Sequence, residues 1–134
     1  MNNLAVSHYM IGKSLAFKKE MAIQTAVEIL LQNDQIGGPV IDDAGRVIGW
    51  LSEQDCLAKM LEASYHCELV ALVEDAMVSP AVCIKKEMSV VDVAQLMISA
   101  KPKIYPVVDS GDHYIGLISR KKVLGAMNKQ IASC

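Results

Sequence analysis

Residues 10–60 lie over residues 77–127 without a gap, so every residue of the first stretch has a counterpart 67 positions further on. Lys18-Lys19-Glu20-Met21 falls on Lys85-Lys86-Glu87-Met88, and Pro39-Val40 on Pro106-Val107. Asp42 falls on Asp109, and Ile48-Gly49 with Ser52 on Ile115-Gly116 with Ser119. A repeat of this length constrains the fold more than local propensity does, because each copy is one supersecondary unit whose apolar face needs a neighbour to cover it. A half this small buries too little surface to stand alone. Two half-folds packed together follow. Function is expected where the copies meet, specialised at the positions where they differ.

Each copy reads in the same order. A short strand comes first, near Leu15-Ala16-Phe17 and near Val82-Cys83-Ile84. A helix follows, with apolar residues spaced three and four apart: Ile23, Ala26, Val27, Leu30 and Leu31, then Val90, Val93, Ala94, Met97 and Ile98. Ser89 with Asp92 three residues on is a capping-box signal. Strands beginning near a proline come next, Gly38–Asp42 and Tyr105–Asp109, then turns at Asp43-Ala44-Gly45 and Ser110-Gly111-Asp112. Apolar strands 47–52 and 114–119 run into second helices. The order is β-α-β-β-α twice, an α+β fold. The first repeat with its N-terminal segment takes 1–65, a linker with a short helix near Leu69, Leu72, Val73 and Ala76 takes 66–76, and the second repeat takes 77–134.

Composition removes several classes of function. A net charge of −2 and a pI near 5.9 argue against a general nucleic-acid binder. No apolar run approaches the ~20 residues of a membrane helix, and the start carries no export signal. Cys56, Cys67, Cys83 and Cys134 show no CxxC spacing and read as reduced thiols of a cytoplasmic protein. His8, His66 and His113 are scattered, so no metal site is expected. No Ser/His/Asp set, phosphate-binding glycine loop or GxGxxG run supplies catalytic machinery.

The richest local signal is Gly49-Trp50-Leu51-Ser52-Glu53-Gln54-Asp55, at a strand-to-helix junction. Ser52 and Asp55 fit a plain helix cap. They also fit a ligand site: free N–H groups and a hydroxyl at a helix start can hold phosphate, and a carboxylate one turn on can take ribose hydroxyls. In the second copy the junction is Ser119-Arg120-Lys121-Lys122, three cations where the helix dipole prefers anions. Broken local rules of this kind gather at functional sites; the plain alternative is a solvated basic face. Gly37-Gly38 suggest open space beside Pro39, whereas the counterparts Ile104-Tyr105 fill it.

Two in-register copies of this order, each with an x-Pro-Val-[Ile/Val]-Asp strand and a Gly-h-h-Ser junction, closely resemble tandem cystathionine-β-synthase (CBS) domains, the pair known as a Bateman module. The resemblance spans about residues 10–130. It implies two βαββα repeats packed with pseudo-twofold symmetry, no catalysis, no required cofactor, and an adenosine-containing ligand between the repeats. By position it implies Asp55 for the ribose, Ser52 for phosphate, and Ile36, Gly37, Gly38 and Pro39 along the adenine pocket. Ser119 matches in the second repeat, but Lys122 stands where the acid belongs, so one good site is expected, built mainly by repeat one. Arg120 and Lys122 are expected to meet phosphates, with Lys121 solvated, which favours ATP, ADP or AMP over S-adenosylmethionine. The whole reads as a stand-alone adenine-nucleotide sensor acting on an effector protein. It is expected to pair as a homodimer through apolar helix faces that include Leu57, Met60, Leu61, Leu124, Met127 and Ile131. The alternative is a ligand-free interaction or dimerisation module.

Overall fold

A computed structural model describes residues 4–65, 70–100 and 103–133. His66, Cys67, Leu69 and Cys134 lie outside the described residues. The elements are β1 (Ile11–Gly12), α1 (Ile23–Asn33), β2 (Gly37–Ile41), β3 (Val47–Ser52), α2 (Glu53–Ser64), α3 (Val73–Ala76), β4 (Ile84–Lys85), α4 (Val90–Ala100), β5 (Ile104–Val108), β6 (Tyr114–Ser119) and α5 (Arg120–Ala132), with a 3-10 turn at Val6–His8 ahead of β1. The repeat carries through to the backbone. α1 and α4, β2 and β5, and β3 and β6 match residue for residue at the 67-residue offset.

The chain forms two compact units. One is contiguous, Leu15–Ala81; the other joins Met1–Ser14 to Val82–Cys134. In the second unit the sheet runs β1-β6-β5-β4. β1 is antiparallel to β6, with Ile11 opposite Leu117, and β4 is parallel to β5, with Ile84 opposite Val107. In the contiguous unit β2 and β3 form the central hairpin, while the flanking strands shrink to single bridges, Phe17 to Val40 and Trp50 to Val78. The strand expected at Leu15–Phe17 is therefore one bridge, and β1 is an element that periodicity did not announce. Both hairpins shift register at the same place, between Val40 and Ile41 and between Val107 and Val108.

The turns repeat as well. Asp42 Oδ1 accepts from the N–H groups of Ala44 and Arg46, both at 2.9 Å, and Gly45 takes a φ of 85° that favours glycine. Asp109 Oδ1 accepts from Gly111 and His113, both at 2.9 Å. These backbone donors, Arg46 first for Asp42 and His113 first for Asp109, hold both carboxyls below the usual carboxylate range. The aspartate that ends each Pro-Val strand thus shapes its turn.

Core positions also correspond: Phe17 with Ile84, Ile23 with Val90, Ala26 with Val93, Leu30 with Met97, Val40 with Val107, Leu51 with Ile118, Cys56 with Val123, and Val73 with Val6. The helix spacing buries Ile23, Ala26 and Leu30 on α1 and Val90, Val93 and Met97 on α4, whereas Leu31 and Ile98 turn outward. At one core position the copies differ sharply. A Cβ on Gly38 would overlap Leu15 and touch Phe17, while its counterpart Tyr105 fills the equivalent space with its own ring. The Tyr105 hydroxyl is buried without a hydrogen-bond partner among the described residues, and burial raises its pKa. An unpaired buried hydroxyl costs about 1–3 kcal/mol. Tyr105→Phe is therefore expected to raise the unfolding free energy by about 1 kcal/mol in urea titrations; a lower value would mean that the hydroxyl has a partner in solution.

Candidate functional site

The β3–α2 junction is held from both sides. Gly37 pairs with Ser52, Gly38 with Leu51 and Pro39 with Trp50. The Glu53 N–H donates to the Ile36 carbonyl at 2.8 Å, tying the start of α2 to the entry of β2. All six repeat-one candidates, Ile36, Gly37, Gly38, Pro39, Ser52 and Asp55, are thereby gathered around one strand pair and one helix start. Within it the Asp55 N–H donates to Ser52 Oγ at 3.1 Å, and the Ser52 N–H donates to Asp55 Oδ2 at 3.1 Å. This is a complete capping box. Asp55 is half-buried, and its Oδ1 takes no hydrogen bond from the described residues.

The expectation of open space at Gly37-Gly38 is corrected. Both glycines are buried. A Cβ on Gly37 would lie 2.8 Å from Trp50 Nε1 and 2.9 Å from the Leu51 carbonyl oxygen, and Gly38 is covered by Leu15 and Phe17. The glycines let neighbouring side chains approach the backbone; they do not leave a void. The missing side chain in the sequence says nothing about which distant residue occupies its place.

The second repeat keeps half of the cap. The Lys122 N–H donates to Ser119 Oγ at 3.2 Å, and the Arg120 N–H donates to the Lys103 carbonyl at 2.8 Å. Lys122 cannot return the bond that Asp55 makes, because an ammonium has only donors. Ser119 and Lys122 instead line a cavity of about 410 Å³ with Tyr9, Ile11, Lys121 and Lys129, next to the positive end of α5. Arg120 is not brought to this cavity. It lines a separate groove between α4 and α5, because successive helix residues point about 100° apart. Lys129 lies two turns beyond Lys122 on the same face, a spacing the sequence offered; Tyr9 and Ile11 arrive through the pairing of β1 with β6, which gave no periodic signal. At the counterpart positions of repeat one, Lys122 and Lys129 become Asp55 and Glu62.

Among the described residues no group of three His, Cys, Asp or Glu side chains is gathered for a metal ion, and no helix is long and apolar enough to cross a membrane. Cys56 is buried, which raises its thiol pKa.

Comparison with known proteins gives a consistent result. The CBS domain family model matches twice, over residues 6–62 and 73–129. The CBS domain-containing protein CBSX1, chloroplastic, of Arabidopsis thaliana is 25% identical over 150 residues, covering 88% of this chain and 64% of its own. An uncharacterized Methanopyrus kandleri protein, MK0525, is 27% identical over 104 residues, covering 75% of this chain and 53% of its own. The chain thus spans just over half to just under two thirds of the length of these curated relatives. Among solved structures, CBSX2 in complex with AMP aligns with a TM-score of 0.82 and 25% identity over 96% of this chain and 98% of that one. The CBS pair of MJ0100, solved with 5′-methylthioadenosine and S-adenosyl-L-methionine, aligns with a TM-score of 0.80 at 17% identity, over 94% and 97%. CBS pairs are regulatory modules, and no catalytic family is indicated. The chain belongs to the CBS-domain family, and its two repeats are a tandem CBS pair with the Bateman α+β fold.

Proposed function

We propose that this chain is a regulatory sensor of an adenine nucleotide and does no chemistry of its own. The observation that carries the reading is the division of charge between corresponding helix starts. Asp55 has an oxygen available for ribose hydroxyls, and the second repeat presents a lysine-lined cavity suited to phosphate. Ribose hydroxyls and phosphate, the groups these two helix starts suit, are what ATP, ADP and AMP offer, whereas S-adenosylmethionine has no phosphate and carries a cation. The AMP complex of CBSX2 supports the adenosine part. Ser52, Ser119, Lys121 and Lys122 are the phosphate-facing candidates, with Ile36, Gly37, Gly38 and Pro39 beside the base; Arg120 lies on another face of α5. We read the protein as a cytoplasmic homodimer; the exposed Leu57, Met60, Leu61, Leu124 and Ile131 support the pairing. Ligand binding shifts a two-state packing equilibrium that an effector protein reads.

One observation favours the ligand-free alternative: Ser52 and Asp55 already satisfy each other, and Gly38 is covered. Thermal melts separate the two readings. With nucleotide at a hundred times its dissociation constant the gain is about 2.7 kcal/mol, on the order of 5–15 °C. ATP is expected to shift the melt more than S-adenosylmethionine does. No shift with ATP, ADP, AMP or S-adenosylmethionine at millimolar concentration leaves the interaction module as the function.

A further inference from the structure

We infer that the cavity along α5 is a trough for a run of two or more linked phosphoryl groups, with Lys122 at one end and Lys129 at the other. This rests on the phosphate-facing role given to Lys121 and Lys122 above, and it adds the length of the ligand. The trough lies wholly within the unit formed by Met1–Ser14 and Val82–Cys134.

The two segments that build it carry no acid. Residues 1–14 hold Lys13, and residues 114–134 hold Arg120, Lys121, Lys122 and Lys129, with no Asp or Glu in either, although the chain as a whole has a net charge of −2. Lys121, Lys122 and Lys129 line one cavity of about 410 Å³. None of their ammonium groups makes an ion pair among the described residues. Lysines elsewhere do find acids: Lys18 lies 3.4 Å from Asp43, Lys59 3.6 Å from Glu62 and Lys85 2.6 Å from Asp112. Like charges gathered around one space repel, and an occupant with several negative charges reverses that cost. The fold itself does not demand the arrangement, since the counterparts in repeat one are Gln54, Asp55 and Glu62.

Spacing sets the length. Lys122 and Lys129 stand two turns apart, roughly 10 Å along the helix axis. A single compact phosphate meets both only where the two arms fold toward each other, cation against cation. Linked phosphoryl groups bring charge to each lysine in its own place. Between the lysines the cavity is lined by Gly125 and Ala126. Glycine inside a helix costs stability relative to alanine, and packing does not ask for it here: a Cβ on Gly125 would meet nothing within 4 Å. Its counterpart is Ala58. The missing side chain leaves the helix backbone open to the close approach of a ligand lying between the two lysines. At the helix start, Ser119 Oγ already accepts from the Lys122 N–H at 3.2 Å, which leaves the hydroxyl proton to donate to a phosphate oxygen.

Isothermal titration calorimetry on the whole chain tests the trough, with inorganic tripolyphosphate, orthophosphate, ATP and AMP in about 0.05 M NaCl, where screening is weak. Tripolyphosphate is expected to bind at least about tenfold more tightly than orthophosphate. Lys122→Gln and Lys129→Gln are each expected to weaken tripolyphosphate on the order of tenfold, the worth of one charge-assisted contact. Lys86→Gln, which removes an exposed charge outside the cavity, leaves it unchanged. Gly125→Leu keeps every charge and suits a helix, so it blocks the trough and weakens tripolyphosphate without lowering the melting temperature. Orthophosphate binding as tightly as tripolyphosphate, or equal losses in Lys86→Gln and Lys129→Gln, overturns the trough. AMP binding without tripolyphosphate binding overturns it too and leaves the sensor reading standing. Tripolyphosphate binding with neither ATP nor AMP keeps the trough and removes the sensor reading. Where both bind, ATP tighter than tripolyphosphate supports a trough for a nucleotide's phosphate chain, and ATP no tighter supports one for free oligophosphate.

Discussion

Replacing Asp55 by asparagine leaves the fold standing and weakens AMP binding by at least tenfold. Asparagine keeps a carbonyl oxygen for the Ser52 N–H, which Asp55 Oδ2 now accepts at 3.1 Å, so the start of α2 stays closed. What it loses is the charge that would strengthen hydrogen bonds from two ribose hydroxyls, each worth about 1.5–3 kcal/mol when one partner is ionised. The loss of one such bond already corresponds to a factor of about ten or more. Asp55→Ala is expected to weaken AMP to a similar degree and in addition to destabilise the apo protein by about 0.5–1.5 kcal/mol, because the Ser52 N–H loses its acceptor while the Ser52 Oγ cap on the residue-55 N–H remains. Trp50, across the strand pair from Pro39 and against Gly37, is the chain's one tryptophan and gives a fluorescence titration its signal. Unchanged AMP affinity in the asparagine variant, with melting lowered only in the alanine variant, would return Asp55 to a purely structural cap.

Phe17→Ala is expected to cost about 3–5 kcal/mol of unfolding free energy, the range for emptying a buried aromatic site. Phe17 is fully buried and is the chain's one phenylalanine. Its backbone N–H donates to the Pro39 carbonyl at 2.9 Å, and its carbonyl accepts from the Ile41 N–H at 2.8 Å. Its ring lies against Gly38, so the cavity opens directly beneath the strand proposed to face adenine. A domain whose total stability is about 5–15 kcal/mol keeps little margin after such a loss. Phe17→Leu, closer in volume, is expected to cost less than about 1.5 kcal/mol. Urea titrations at unchanged m-value measure both; a loss under 1 kcal/mol for the alanine variant would show that Leu15 and its neighbours collapse into the space.

Much of the fold was legible because the repeat supplied each element twice. The helix at Ile23–Asn33 and its counterpart at Val90–Ala100 begin and end in register, as the spacing of Ile23, Ala26 and Leu30 and of Val90, Val93 and Met97 implied. The serine caps at both helix starts were readable too, since Ser52 and Ser119 each accept from the residue three further on. The pairing of Ile11-Gly12 with Gly116 and Leu117 was not: two residues carry no alternation, and their partner lies at the far end of the chain. The filling of Gly38 by Leu15 and Phe17 was equally hidden, because a glycine leaves open which residue comes to meet it. Arg120 and Lys122 were expected to meet one ligand with Lys121 solvated, whereas Lys121 and Lys122 line the cavity and Arg120 lines the groove; residue spacing on the helix does not say which face the neighbouring elements hollow out.

The discontinuous unit gives synthesis a direction. The unit of Leu15–Ala81 has all of its parts once residue 81 has emerged from the ribosome. β1 is made first but finds its partner last: Ser14 already hydrogen-bonds Tyr114, 100 residues away, and Ile11 waits for Leu117. Closing so long a loop adds entropy cost and delays assembly. Until β6 has emerged, the nascent chain therefore carries a finished unit next to a β1 that has no partner yet. A strand of only two residues is a short edge to leave unpaired for that interval, and short edges are poor templates for aggregation.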